Sequence, residues 1–267
     1  MNTTSSSNRR AGIFADRQVI GRVVFAAFIG LLFAACSQPT PTQSPPSTET
    51  SAPKPADTSV PIEPPQTISK DILLDPAVAN NEDSILINSY IFEGLVKLEG
   101  GAPAPSLATS WVVSDDGLHY TFNLRPGVVF HDNTPLTADV VLANFNRWFD
   151  PDDPQHGSAT YTAWKDAFLG FKGDLNADGA PVSSFDGIEK ADELTVLIHL
   201  NREVPDLLDK LSNPAFAIVS IDALSMGGAI GTGPYLVGMK TEDSLLLQPN
   251  TNYWGAVPDE GMEFELK

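Results

Sequence analysis

The residues of this 267-residue chain with an evident capacity for chemistry are four histidines, one cysteine and an acidic loop. His119, His131, His156 and His199 show neither a His-Glu-x-x-His run nor any close ligand spacing, so they predict no zinc or heme site. Asp174, Asn176, Asp178 and Gly179 imitate the opening of a calcium loop. The position that should supply a bidentate glutamate is Phe185, which leaves the oxygen shell incomplete and predicts a polar turn. No Gly-x-Ser-x-Gly elbow or phosphate-cradling glycine loop is present, and Ser51 with Lys54 falls in a segment too polar to hold a nucleophile. The residues therefore predict no catalytic centre, no cofactor and no metal.

Cys36 invites a different chemistry. Arg9, Arg10, Arg17 and Arg22 precede the uncharged run 23–35, too short to span a bilayer comfortably but suited to the apolar core of an export signal. Ala34 and Ala35 stand just before the lone thiol. This resembles the bacterial lipobox, with Phe33 where leucine is usual, and implies a signal peptide over 1–35 and lipidation of Cys36. As the chain's one cysteine, it has no partner for an intramolecular disulfide. Residues 36–66 are crowded with Pro, Ser and Thr and cannot bury enough apolar surface to offset ordering, so they predict a disordered tether. The expected product is exported, tied to the membrane through Cys36, and faces the periplasm or the cell exterior.

Sixteen Lys and Arg stand against 34 Asp and Glu, a formal charge of −18. Such a surface repels phosphate backbones, which argues against a nucleic-acid partner.

From residue 67 the composition becomes globular, with 42% apolar residues overall, enough for a real core. Ile85, Ile87, Tyr90, Ile91, Phe92, Leu95 and Val96 lie on a helical stripe over 84–98. Residues 118–124 alternate, with Leu118, Tyr120, Phe122 and Leu124 on one face, and predict a strand paired in a hairpin with 128–130. Thr137 reads as the N-cap of a helix burying Val141, Phe145 and Trp148, which Asp150 and Pro151 stop. Residues 151–187 read as loop-rich. Residues 194–200 alternate again, Pro205 opens a short helix through Leu211, and 215–219 predict a buried strand. Ser220 should cap a brief helix, and strands at 235–239 and 245–248 should form a hairpin. Strands and helices without regular alternation predict an α/β or α+β lobe.

Taken together, IFEGLVKLEG, PSLATSWVVSDDGLHYTFNLRPGVVFHDNTPLTADVVLANFNRWF, GIEKADELTVLIHL, NPAFAIVS, GTGPYLV and NTNYWGAVPDEGMEFEL stand in order along the chain. Over 68–267 they closely resemble the extracellular solute-binding protein family 5, receptors of ABC importers for peptides, nickel chelates and oligosaccharides. The resemblance implies an α/β, periplasmic-binding-protein-like fold of type II. Here it would be a first lobe with an inserted α+β subdomain and the second lobe missing, because family members are about twice as long. Residues 67–94 and 214–267 would form the lobe core, and 95–213 the added subdomain. Glu93-Gly94-Leu95 is expected to let a helix run out into the next strand, with Gly94 adopting backbone angles other residues resist, and Gly231 and Gly233 to bracket a tight turn.

The implied function is a lipid-anchored solute-binding component of an ABC importer, present as a truncated N-terminal portion. Its partners would be a small-molecule or peptide ligand, with oligopeptides foremost, and an ABC permease in the membrane. A nickel-chelate or oligosaccharide receptor, a non-transporting remnant and a surface-anchored hydrolase are the alternatives. Cleft geometry in the family points to Asn80, Asn81 and Ser84 on the early segment, to Tyr161 and Trp164 in the subdomain, and to Phe216 as ligand-binding candidates.

Overall fold

A computed structural model of the protein describes residues 65–267. Cys36, the signal segment 1–35 and all but the last two residues of the tether lie outside the described residues. No helix among the described residues is long and apolar enough to cross a membrane.

Two four-stranded sheets organise the structure. The first runs in the order β1 (Gln66–Ile68), β12 (Met262–Leu266), β11 (Ser244–Pro249), β10 (Tyr235–Lys240). Its β1 and β12 are parallel, with Gln66 opposite Phe264, and its other ladders are antiparallel. Among the described residues, ladder pairing begins at Gln66. Helix α1 (Glu82–Ile91) lays Ile87 and Ile91 on this sheet against Leu245, Leu247, Phe264 and Leu266.

The second sheet is antiparallel, in the order β5 (Ala108–Val113), β6 (His119–Leu124), β8 (Thr195–Leu200), β7 (Phe185–Asp192). The alternation of β6 and β8 puts Tyr120, Phe122, Val196, Ile198 and Leu200 in the core, as the sequence predicts. Helix α2 (Ala138–Phe149) covers that face with Val141, Phe145 and Trp148, and the Val140 amide reaches Thr137 Oγ1 at 3.5 Å. Helices α3 (Thr162–Phe168), α4 (Leu207–Leu211) and α5 (Ile221–Ser225) complete the structure. Ser220 occupies the N-cap of α5 without a side-chain capping bond.

Two small ladders link the sheets: β2 (Glu93–Gly94) with β9 (Ala217–Ile218), and β3 (Val96–Glu99) with β4 (Ala102–Pro105). Successive residues of a strand face opposite ways. Ile218 accordingly enters the core under the second sheet, while Ala217 and Val219 enter the core of the first.

The 84–98 stripe leaves the helix after Ile91 and runs out into strand at Glu93-Gly94, as expected. Backbone partners from elsewhere claim its end: Ile91 O accepts from Gly233 N, Gly94 O from Leu107 N, and Leu95 O from Ala108 N. Other expectations need correction. The strand at 118–124 pairs with β5 and β8, whereas 128–130 contributes a single bridge, Val129 to Pro135. Residues 151–187 contain α3 and the start of β7. The 215–219 strand begins as a 3-10 turn, Pro214–Phe216, and only Ala217–Ile218 is extended. The acidic loop is a polar turn in which Asn176 Oδ1 accepts from the Asp178 and Ala180 amides.

Gly94 is not in the left-handed region. A side chain there would be crowded by the Val96 carbonyl, 3.1 Å from where a Cβ would stand. Gly231 and Gly233 are more constrained, because a Cβ would lie 2.1 Å from Ile91 O at the first and 2.6 Å from Tyr90 O at the second. Only bare backbone can approach the end of α1 so closely and supply the donor its last carbonyl lacks.

Candidate ligand-binding groove

Three segments converge to form a concavity of about 550 Å³. One wall is the 3-10 turn Pro76–Val78 with Ala79 and Asn80, leading into α1. Asp75 caps this turn, its Oδ1 accepting from Ala77 N at 3.2 Å. Both Asp75 oxygens also accept from Arg147 of α2, at 2.9 and 3.1 Å, with the arginine side chain 1% exposed. A bidentate guanidinium–carboxylate pair fixes both distance and orientation. It holds this wall against the second sheet's helix.

The opposite wall is the approach to α3, from Ala159 and Thr160 through Thr162, Ala163 and Asp166. Asn213 and Ala215 close the third side, where Asn213 Oδ1 accepts from Ala215 N and starts the Pro214–Phe216 turn. Five of the twelve lining residues are alanine, with amide and hydroxyl groups between and one carboxylate, Asp166. Small residues leave room, and the interspersed donors and acceptors can bond a polar solute.

The sequence-predicted residues do not all meet on this surface. Asn80 lines the groove. Asn81 is the N-cap of α1, accepting from Ser84 N at 2.8 Å and donating to Asp71 O. Ser84 is buried, with its Oγ accepting from Leu73 N. Tyr161, Trp164 and Phe216, expected to present aromatic surface to a ligand, are instead 2%, 1% and 4% exposed. Their polar handles are already engaged, Tyr161 OH donating to His156 O and Trp164 Nε1 to Gly170 O. Trp164 lies 4.4 Å from the Phe168 ring and 5.0 Å from Phe185, and Phe216 meets Trp148 edge-on. These aromatics stand behind the wall, and their sequence neighbours Thr160, Thr162, Ala163 and Ala215 form its surface. Alanine and threonine carry no periodic signal, so sequence reasoning missed them.

A second cluster binds three of the sequence motifs together. Glu93 accepts from Thr232 Oγ1, Tyr253 OH and Trp254 Nε1 at 2.9, 3.0 and 2.9 Å. Burial pushes its carboxyl above the ordinary range, against the opposing pull of those three bonds and of Arg125. Arg125 stacks 4.0 Å from the Trp254 ring. Tyr253 is raised by burial and by the Glu93 charge. The Glu93 side borders a further groove of about 270 Å³, which also reaches Asn213. Nearby, His131 Nδ1 accepts from Gly231 N at 3.3 Å and its Nε2 lies 3.1 Å from Gly233 O. That arrangement requires a neutral ring protonated on Nε2, and burial lowers its pKa accordingly.

Comparison with known proteins places this architecture. Residues 102–262 match the model of the bacterial extracellular solute-binding proteins, family 5 Middle. Heme-binding protein A of Haemophilus influenzae is 32% identical over 189 residues, covering 62% of this chain and 32% of that protein. Di/tripeptide-binding protein 4 of Pseudomonas aeruginosa is 37% identical over 173 residues, covering 58% and 30%. The chain thus spans about a third of the length of these relatives. Among solved structures, HbpA2 from Haemophilus parasuis superposes with a TM-score of 0.62 at 25% identity, over 75% of this chain and 42% of that one. The ABC transporter-associated periplasmic binding protein DppA from Helicobacter pylori, in complex with the peptide STSA, gives 0.60 at 25%, over 76% and 41%. The fold is α/β, of the periplasmic-binding-protein type II class. On the matched segments and the shared fold, the chain belongs to the bacterial extracellular solute-binding proteins of family 5.

Proposed function

We propose that this chain supplies the ligand-gripping surface of a solute-binding component of an ABC importer, and that its solute is a short peptide. The observation that carries the reading is the groove between Asn80, Thr160, Thr162, Asp166 and Asn213, where small residues leave space around side chains that bond amides. An extended peptide offers a donor and an acceptor at each residue, which such a lining can meet. Asp166 is the one charge on the wall and suits the cationic amino terminus of a peptide. The di/tripeptide-binding relative and the peptide-bound solved structure agree in solute class.

In this reading, residues 67–94 and 214–267 act as the lobe core and 95–213 as an added subdomain. Asn80 touches the solute directly, Asn81 and Ser84 hold its segment in place, and Tyr161, Trp164 and Phe216 stiffen the wall from behind. Binding is non-covalent, and delivery is to a membrane permease. Cys36 carries the lipid that keeps the protein at the membrane, and residues 36–66 are the tether.

The test is calorimetric titration of the full chain with a di- and tripeptide library, alongside mass spectrometry of whatever co-purifies. Peptide binding that weakens about tenfold or more in Asp166→Asn, equivalent to about 1.4 kcal/mol, supports the proposal. Equal affinity for N-acetylated and free peptides removes the role of Asp166. A co-purified solute with no peptide bond overturns the solute class. For the anchor, Cys36→Ala should move the protein from the membrane to the soluble fraction; retention at the membrane refutes lipidation.

A further inference from the structure

The outer face of the second sheet carries a histidine pair that the groove does not use. His119 on β6 and His199 on β8 are direct cross-strand partners. Their Nδ1 atoms stand 2.9 Å apart and their rings lie at 72°. Both are reachable from solvent, His119 being exposed and the His199 side chain 27% so. On the third strand, Glu189 Oε1 lies 3.4 Å from His199 Nε2. Asp116, in the turn before β6, is within electrostatic reach of His119. No three His, Cys, Asp or Glu side chains converge as a metal cluster among the described residues, so the pair would be a two-ligand site.

We propose that His119 and His199 form a surface site for an imidazole-preferring divalent cation, foremost copper(II), with water completing the coordination. The spacing is the first argument. Imidazole nitrogens bound at about 2.0–2.1 Å and at a right angle to one another stand ~2.9 Å apart, whereas a tetrahedral angle separates them by ~3.3 Å. Right-angled nitrogen ligands are the preference of copper(II) and nickel(II), and copper(II) is the tighter of the two. The second argument is Glu189. A carboxylate beside the far nitrogen of a ligating histidine favours a proton on that nitrogen and leaves the near one free for metal. In the metal-free protein His119 Nδ1–H can donate to His199 Nδ1. On binding, that proton leaves Nδ1 and the His119 ring carries its proton on Nε2 instead, so both Nδ1 lone pairs reach the ion. Two carboxylates nearby favour the added positive charge.

The full chain, carrying no polyhistidine tag, is titrated with copper(II) chloride in a weakly coordinating buffer and followed by calorimetry and electron paramagnetic resonance. One saturable site is expected, with hyperfine structure from two equivalent imidazole nitrogens. His119→Ala and His199→Ala should each weaken it by at least about tenfold, and Glu189→Gln by less than that, since its carboxylate meets His199 Nε2 at 3.4 Å as a charge contact rather than a hydrogen bond. Nickel(II) should bind the same site more weakly. No saturable site, a spectrum of backbone or amine nitrogens, or an affinity unchanged in both alanine variants overturns the proposal. The spectrum of the unmutated chain decides the matter even if a variant misfolds.

Discussion

Asp75 and Arg147, 72 residues apart in the chain, meet in a two-pronged ion pair at 2.9 and 3.1 Å that joins the groove's first wall to helix α2. The arginine is almost fully buried, while the aspartate keeps some contact with water. Removing one member leaves the other stranded, which in buried pairs costs about 3–5 kcal/mol. Because Asp75 also caps the Pro76–Val78 turn, its loss acts on the groove as well as on stability. Arg147→Met should therefore lower the unfolding free energy, read from urea denaturation, by an amount near the bottom of that range and weaken solute binding. A change under about 1 kcal/mol would show the pair to be no stronger than a surface contact.

His131 makes stability depend on pH. Its folded-state pKa is depressed by burial, and its Nδ1 accepts the Gly231 amide only while unprotonated. A group of this kind adds stability that is complete above its ordinary value of 6.5 and is lost as pH falls toward the lower, folded value. Thermal unfolding between pH 8 and pH 5 should show a falling midpoint below about pH 6.5. His131→Asn, which cannot take up the proton, should flatten that slope even if it is less stable throughout.

Glu93 works in the opposite sense. Its pKa is raised from 4.5, so its stabilising contribution is present below that value and is lost as pH rises through the folded value. The stability of the wild type relative to Glu93→Gln should accordingly decrease as the pH climbs from about 4. A difference that grows with pH would mean that the bonds from Thr232, Tyr253 and Trp254 outweigh desolvation.

The glycines at the end of α1 are tested by contrast. Gly231→Ala would place a methyl 2.1 Å from Ile91 O, where backbone must shift. Overpacking of this kind costs about 1–3 kcal/mol. Gly187→Ala, in β7, meets nothing within 4 Å and should stay within about 0.5 kcal/mol of wild type. Equal effects in chemical denaturation would refute the close-approach account.

Phe122 tests the facing of the second sheet. It is fully buried, and Phe122→Asp would put a charge where no partner waits, a cost of several kcal/mol. Loss of the cooperative transition is expected, and a cooperatively folding variant would contradict the observed facing.

Features whose signal is local are legible in the residues alone. Alternation over 118–124 and 194–200 was enough to face both central strands correctly, because side-chain direction repeats every two residues. Thr137 and the Val141, Phe145, Trp148 stripe located α2, because capping and helical period act within a few residues. The ordered motifs also carry the family resemblance on their own. Strand pairing was another matter: 118–124 found its partners in β5 and β8 rather than in the nearby 128–130, since hydrogen-bonding partners are set by tertiary packing. The apolar stripe over 84–98 is helix-compatible along its length, and the exit into a strand at Glu93-Gly94-Leu95 is fixed by distant backbone groups of Gly233, Leu107 and Ala108. The groove was least legible. Conspicuous aromatics drew attention to Tyr161, Trp164 and Phe216, but burying large rings is the strongest gain available to a core, so they turned inward and left small neighbours to face the space. Which alanines, threonines and asparagines border that space depends on where three remote segments converge, and only the tertiary structure decides that.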